Sequence, residues 1–204
     1  MKHIEQEYKW DATKRGAFAC FLKAANTTGT LTPAHSLRIT DYYLDTPSGS
    51  LSGRKIALRV RRVKGKFEAT LKTKTKLING LARRKELTLA LPQVRSLAGA
   101  LRVLAARGSW AGCTLQDLQA RFVIANCRTV CMLRAPACQC EVALDHYKTH
   151  ARGKYFWRKE IELELKKGTE KAFLKVVQKI NQNCNLPAAK ISKVAGAEKW
   201  ISKS

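Results

Sequence analysis

Charged side chains recur at every second position in three stretches far apart in the chain, and this alternation constrains the fold more than any other feature. The first stretch is Glu5-Gln6-Glu7-Tyr8-Lys9. The second is Arg59-Val60-Arg61, followed by Lys72-Thr73-Lys74, and the third is Glu160-Ile161-Glu162-Leu163-Glu164. In a β-strand residues i, i+2 and i+4 share one face, so each stretch predicts a strand with a charged face backed by an apolar one. A single strand of this kind is usually the wet face of a half-exposed sheet. Here the apolar faces (Leu58, Val60, Leu71, Leu87, Ile161 and Leu163 among them) need cover of their own, which predicts helices packed outside the sheet. If the sheet closes, its charged faces line the lumen. Buried unpaired charge is costly, so such a lumen requires acids, bases and a ligand that neutralise one another. Carboxylates at i and i+2 lie about 7 Å apart, and two facing strands of them can cage a divalent cation such as Mg²⁺ that shares phosphate oxygens. Lys and Arg on the other walls would hold the remaining phosphate charge.

The rest of the chain reads as further strands with a few helices. A strand over about 3–10 is followed by a helix from about 14 to 25, capped by Asp11 or Thr13. Strands are predicted at 37–44, at 56–63 and 66–74 as a hairpin around Lys64-Gly65, and at 82–91. Pro92 opens a mostly helical connection to about Arg121, broken near Gly108 to Gly112. Strands at 122–133, 139–147 and 155–166 follow, the last after a basic loop at 148–154. Thr169 caps an amphipathic helix to about Asn183, with Phe173, Val176, Val177 and Ile180 on one side. The expected fold is α+β, an eight-stranded antiparallel β-barrel enclosing a tunnel, with covering helices, formed by a single domain over 1–204.

Composition narrows the function. A net charge of +24 on 204 residues draws polyanions, and nucleic acid is the usual partner of so basic a chain. Yet eight of the 15 carboxylates (Glu5, Glu7, Glu86, Glu141, Asp145, Glu160, Glu162 and Glu164) fall in strand-like segments, whereas a nucleic-acid face avoids acids. That ranks nucleic acid below a smaller anion bound inside. No window has the roughly 20 apolar residues of a membrane span and the first residues have no signal-peptide core, so no membrane association and a cytoplasmic location are expected. Seven cysteines at irregular spacing argue against a disulfide framework. Cys127, Cys131, Cys138 and Cys140 read as small buried hydrophobes rather than half a zinc site.

The ordered set of motifs resembles the CYTH domain, or triphosphate tunnel metalloenzyme, superfamily. Glu5-x-Glu7-x-Lys9 is similar to its N-terminal signature. Tyr42-Tyr43-Leu44-Asp45-Thr46-Pro47, Leu58-Arg59-Val60-Arg61, Thr70-Leu71-Lys72 and Arg84-Lys85-Glu86 resemble its next strands. Arg128, Glu141-Val142-Ala143-Leu144-Asp145, Glu160 to Glu164 and Ser192-Lys193 are similar to its later ones. The run Asn79 to Glu86 looks most like the bacterial inorganic triphosphatases. The resemblance implies hydrolysis of a triphosphate, foremost inorganic tripolyphosphate to pyrophosphate and phosphate, with Mg²⁺ or Mn²⁺ as cofactor. It implies Glu5, Glu7, Asp145, Glu160, Glu162 and Glu164 as metal ligands, and Glu5, Glu7 and Lys9 as catalytic. Lys9, Arg59, Arg61, Lys72, Arg84, Arg128 and Lys193 would bind the triphosphate, Lys74 would stand at the tunnel mouth, and Glu86 and Glu141 would orient the cations.

Other readings stay open. A CYTH-type adenylate cyclase would use the same cage on ATP, and a thiamine or nucleoside triphosphatase would add a stacking site, for which Trp10, Trp157 and Trp200 are candidates although each reads first as core. A non-enzymatic polyphosphate- or RNA-binding module would account for the charge but not for the acids. The surplus bases at 92–121 and 148–154 read as solvated surface ahead of a guide for longer polyphosphates or nucleic-acid ends.

Overall fold

The computed structural model describes residues 2–73 and 78–202. In chain order the elements are β1 (Lys2–Asp11), α1 (Ala17–Asn26), β2 (Thr30–Leu31), β3 (His35–Asp45), α2 (Ser50–Gly53), β4 (Ile56–Val63), β5 (Lys66–Thr73) and β6 (Leu81–Leu91). There follow α3 (Leu97–Arg107), β7 (Ser109–Trp110), β8 (Cys113–Thr114), β9 (Gln119–Ala135), β10 (Cys138–Ala151), β11 (Lys154–Gly168), α4 (Glu170–Asn183) and α5 (Lys193–Ile201). Hydrogen-bonded neighbours run β10-β11-β1-β6-β5-β4-β3-β9, and β9 pairs again with β10. All eight ring pairings are antiparallel. Closure removes the exposed sheet edges, and two-residue turns such as Lys64-Gly65 (φ 48° and 75°) join neighbouring strands tightly.

Alternation along the strands sorts side chains between an outer and an inner surface. Outside β1, β10 and β11, the apolar residues Tyr8, Trp10, Val142, Leu144, Ile161 and Leu163 pack against Phe21 of α1 and Phe173, Val176, Val177 and Ile180 of α4. Trp10, Phe21 and Phe173 are fully buried there, each contributing about 2–3 kcal/mol through removal from water. Outside β4, β5 and β6, Leu58, Val60, Phe67, Ala69, Leu71 and Leu91 pack against Leu51 of α2 and Ala100 and Leu104 of α3. A third cluster lies within the barrel: Tyr43, Phe122, Ile124, Tyr147 and Ala151 meet Ala197 and Ile201 of α5. This apolar plug brings the N-terminus of α5, capped by Ser192 Oγ accepting from Ala195 N at 3.2 Å, to the charged interior.

Several expectations need correction. Helix α1 begins at Ala17 rather than near Lys14, behind Gly16 at φ 78° with no side-chain cap. Asp11 instead ends β1, and its Oδ1 accepts from Thr13 N at 2.9 Å, closing a turn before any helix can start. The connection after Pro92 is helical only over 97–107; Gly108 leads into the small β7–β8 hairpin and Gly112 sits in its turn, both at positive φ. The segment 148–154 is no loop: β10 and β11 run on to a turn at Arg152-Gly153. Its bases alternate with the buried Thr149 and Ala151, which is a strand pattern. Cys20 of α1 and Cys184, which follows α4, form a disulfide, their Cα atoms 5.9 Å apart. The remaining five cysteines are free; Cys131, Cys138 and Cys140 are buried as expected and so is Cys113, but Cys127 is exposed, because its position in β9 faces outward, away from the lumen.

Candidate active site

The tunnel wall begins with β1, where Glu5, Glu7 and Lys9 face inward because Tyr8 and Trp10 anchor the other side in the helix-covered core. Beside it, β11 sets Glu164 opposite Glu7, Glu162 opposite Lys9 and Glu160 opposite Asp11. On the far side of β11, Glu141 stands opposite Glu164 and Asp145 opposite Glu160. Three remote stretches of sequence thus make one acidic wall. Glu7, Lys9, Asp145, Glu160 and Glu162 are all buried.

Cations of the wall itself and of other elements meet these acids. Lys9 Nζ lies 3.0 Å from Glu7 and 3.5 Å from Glu160, and forms a close ion pair with Glu162. Lys193, the first residue of α5, places Nζ 2.6 Å from Asp145, 3.2 Å from Glu160 and 2.5 Å from Glu162. Arg128 of β9 donates from Nε and Nη2 to the two oxygens of Asp145 at 2.7 and 2.6 Å, and from Nη2 to Glu162 at 2.5 Å. Asn126 Nδ2 donates to Asp145 at 2.8 Å. Burial by itself would lower the pKa of Lys9 and Lys193, but the surrounding carboxylates raise both above the ordinary lysine value. Glu160 and Glu162 diverge: burial dominates in Glu160 and raises its pKa. In Glu162, Lys193, Lys9 and Arg128 outweigh burial and hold the carboxyl well below its usual range.

The opposite wall is basic. Arg59 and Arg61 of β4 and Lys72 of β5 face inward because Leu58, Val60 and Leu71 are fixed in the core under α2 and α3. Arg61 grips Asp41 of β3 with two hydrogen bonds of 2.7 and 2.8 Å. Despite burial, Arg59 and Arg61 depress the Asp41 pKa to about 2. Lys72 is ion-paired with Glu86 of β6. Arg59 donates from Nη2 to Thr70 at 3.2 Å, and its nearest approach to Asp41 is 3.9 Å. Its buried Nε has no hydrogen-bond partner among the described residues.

Between the walls lies a cavity of about 290 Å³, lined among the described residues by seven basic and six acidic side chains. Of the expected site residues, Glu5, Lys9, Arg59, Arg61, Lys72, Glu86, Arg128, Glu141, Glu162, Glu164 and Lys193 line it, and Glu7, Asp145 and Glu160 are buried in the ion-pair network beside it. Lys74 lies outside the described residues, as does the side chain of Arg84, whose backbone pairs opposite Glu5. Sequence reasoning missed Asp41, Tyr43, Asn126 and Lys166. Lys166, 2.7 Å from Glu164, continues the alternation of Glu160, Glu162 and Glu164 and was open to detection. Asp41 and Tyr43 share the period of Asp45, whereas Asn126 carries no distinguishing signal. None of Trp10, Trp157 and Trp200 lines the cavity. Trp10 is core, but Trp157 is 55% exposed on the barrel's exterior, contrary to the core expected for it.

The donor set of the acidic wall is oxygen-only, the chemistry suited to Mg²⁺ or Mn²⁺. Among the described residues no three acids form a ready-made ion-binding cluster, because ammonium groups occupy the points where carboxylate oxygens converge. The residues therefore fit a divalent cation in kind and convergence, provided Lys9 and Lys193 exchange carboxylate for another anion.

A family model for the CYTH domain matches residues 3–197. Among solved structures, HpAC1 from Hippeastrum, named an adenylyl cyclase with a dominant triphosphatase activity, is 15% identical with a TM-score of 0.66 over 96% of both chains. A protein from Pyrococcus horikoshii is 16% identical with a TM-score of 0.62 over 98% of this chain and 99% of that one. The mimivirus capping enzyme triphosphatase is 14% identical with a TM-score of 0.53 over 87% of this chain and 89% of that one.

Proposed function

We propose that this chain, which belongs to the CYTH domain family, hydrolyses a triphosphate inside its tunnel, with inorganic tripolyphosphate as the preferred substrate. The observation that carries this reading is the facing of a basic wall, whose buried Arg59 Nε finds no hydrogen-bond acceptor among the described residues, against an acidic wall whose carboxylates converge on cations. A buried guanidinium N–H without an acceptor is costly, and a phosphate oxygen in the cavity would satisfy it. The cavity of about 290 Å³ falls just below the usual size of small-molecule sites, which span roughly 300–1,000 Å³. That favours a bare triphosphate chain over one bearing a base. Among the described residues Tyr43 is the one aromatic side chain in the lining, so a stacked purine or thiazole has little to rest on.

Arg59, Arg61 and Lys72 bind and orient the phosphate chain from the basic wall, with Asp41 and Glu86 holding Arg61 and Lys72 in place. Lys9, Lys193 and Arg128 reach it from the acidic wall, and Arg84 is assigned the same role from its motif. Asp145 fixes Arg128 and Lys193. As those cations turn to phosphate, Glu5, Glu7, Glu160, Glu162 and Glu164 are left to hold the divalent ion, with Asp145 behind them and Glu141 beside Lys166. Bound there, the ion would neutralise charge across the phosphate oxygens and make a coordinated water more acidic. Water attacks the terminal phosphorus, the bond to the bridging oxygen breaks, and pyrophosphate leaves with the electron pair. The cationic wall stabilises the charge that develops on that bridging oxygen.

The test is phosphate release with Mg²⁺ and with Mn²⁺ from tripolyphosphate, ATP, thiamine triphosphate and long-chain polyphosphate in parallel. Release should be fastest from tripolyphosphate and absent with chelator. Cyclic AMP and pyrophosphate from ATP would replace the reading with a cyclase, and tight binding without release from any substrate would replace it with a binding module.

A further inference from the structure

Most of the positive charge is not used by the tunnel. Among the described residues, seven basic side chains of the chain's 39 line the cavity, against at least nine of the 15 carboxylates that line it or are buried beside it. The excess therefore lies outside. Part of it lies on the outward face of the extended β10–β11 hairpin and the neighbouring β9 and β3. In β10 and β11 the residues cross-paired as His146 with Lys159, Lys148 with Trp157, and His150 with Tyr155 all face away from the lumen. Their neighbours Tyr147, Thr149 and Ala151 are buried on the other side. Cys127 pairs with His146 on one side and Arg38 on the other, which extends the surface to a further exposed base.

This surface combines charge with exposed rings. Tyr155 is 57% and Trp157 55% exposed. Lys148 Nζ lies 3.7 Å from the centre of the Tyr155 ring and 5.6 Å from that of Trp157, while the His146 ring is 5.1 Å from Trp157. No carboxylate stands at the outward positions of 36–42, 123–129, 146–150 or 155–159. Neighbouring exposed rings rimmed by polar groups mark an interaction surface, where singly scattered ones would not. Rings set among lysines on an open sheet suit a ligand with both phosphates and π-faces, which is the design of single-strand platforms. A bare polyphosphate would use the lysines and leave the rings idle.

We propose that this outer face binds single-stranded nucleic acid, with bases stacking on Trp157 and Tyr155 and the backbone running along Lys148, Lys159 and Arg38. The site is separate from the tunnel because β10 and β11 turn Asp145 and Glu160 to the opposite side. The test is fluorescence anisotropy of a labelled oligouridylate of about 20 nucleotides, with saturating tripolyphosphate present to occupy the tunnel. The full chain should bind, more weakly as salt rises. The double variant Tyr155→Ala/Trp157→Ala should bind about tenfold or more weaker, Trp157→Phe should retain most of the affinity, and circular dichroism should show both folded. Long-chain polyphosphate should bind more weakly than the oligonucleotide at equal charge. The proposal is overturned by absence of binding at low salt, by the double variant binding as the wild type does, or by polyphosphate binding equally well, which would make the face a general polyanion surface.

Discussion

The two walls of the tunnel carry the same kinds of residue and neutralise them in different ways. On the β3–β4–β5–β6 side, the two closest pairs are Arg61 with Asp41 and Lys72 with Glu86, each formed by residues on adjacent strands. On the β1–β10–β11 side the acids outnumber the local cations Lys9 and Lys166, and balance comes from Lys193 at the head of α5 and Arg128 on β9. The first wall holds its cations in place. The second gathers carboxylates around ammonium groups that a ligand and a metal can displace. Cations paired with one carboxylate are oriented; cations shared among several leave room for exchange.

The largest effect should follow from Glu162, which contacts Lys9, Lys193 and Arg128 at once. Glu162→Gln should cut tripolyphosphate turnover by about 10²-fold or more with the fold retained, as read by phosphate release and circular dichroism. Near-normal turnover would remove the acidic wall from the chemistry. Arg59→Ala on the other wall should act mainly on binding, raising KM about tenfold with a smaller change in kcat. An equal loss in both would place Arg59 at the reacting phosphorus and blur the contrast between the walls.

Asp41 tests how firmly the basic wall is held. Its pKa is lowered from 3.8 to about 2 in the folded chain, so the ionised form is the one that folding favours. That stability is fully present above the unfolded value near pH 4 and is lost as pH falls toward 2. The shift corresponds to about 2 kcal/mol. Asp41→Asn should therefore lower stability at neutral pH by about that much and flatten the loss of Tm between pH 4 and 2. A parent-like acid limb would show that Asp41 does not fasten this wall. The smallest effect is expected behind the acidic wall, where Thr169 Oγ1 caps α4 by accepting from Ala172 N at 3.2 Å. Thr169→Ala should cost about 1 kcal/mol in thermal or chemical unfolding, with turnover unchanged. Lost turnover would mean that the outer helix also sets the register of β11.

Period-two alternation was legible without any structure: it placed Glu5, Glu7, Lys9, Glu160, Glu162 and Glu164 on one face of their strands and required cover for the other. The hairpin at Lys64-Gly65 and the cap at Thr169 were also legible, because both are local. The basic run at 148–154 misled because charge density suggested a loop, although its alternation was that of a strand. Asp41 and Asn126 were not legible, since their significance is a partner on another strand.

The sequence by itself determined the strands, their charged faces and the need for helical cover, because backbone periodicity and solvation act over a few residues. Only the tertiary structure decided that β9 and β10 close the ring, that α5 fills the barrel with Ala197 and Ile201, and that Lys193 ends among Asp145, Glu160 and Glu162. Those outcomes depend on packing between residues far apart in the chain. For the same reason the disulfide between Cys20 and Cys184, which spans 164 positions, is a fact of the packed helices and not of cysteine spacing.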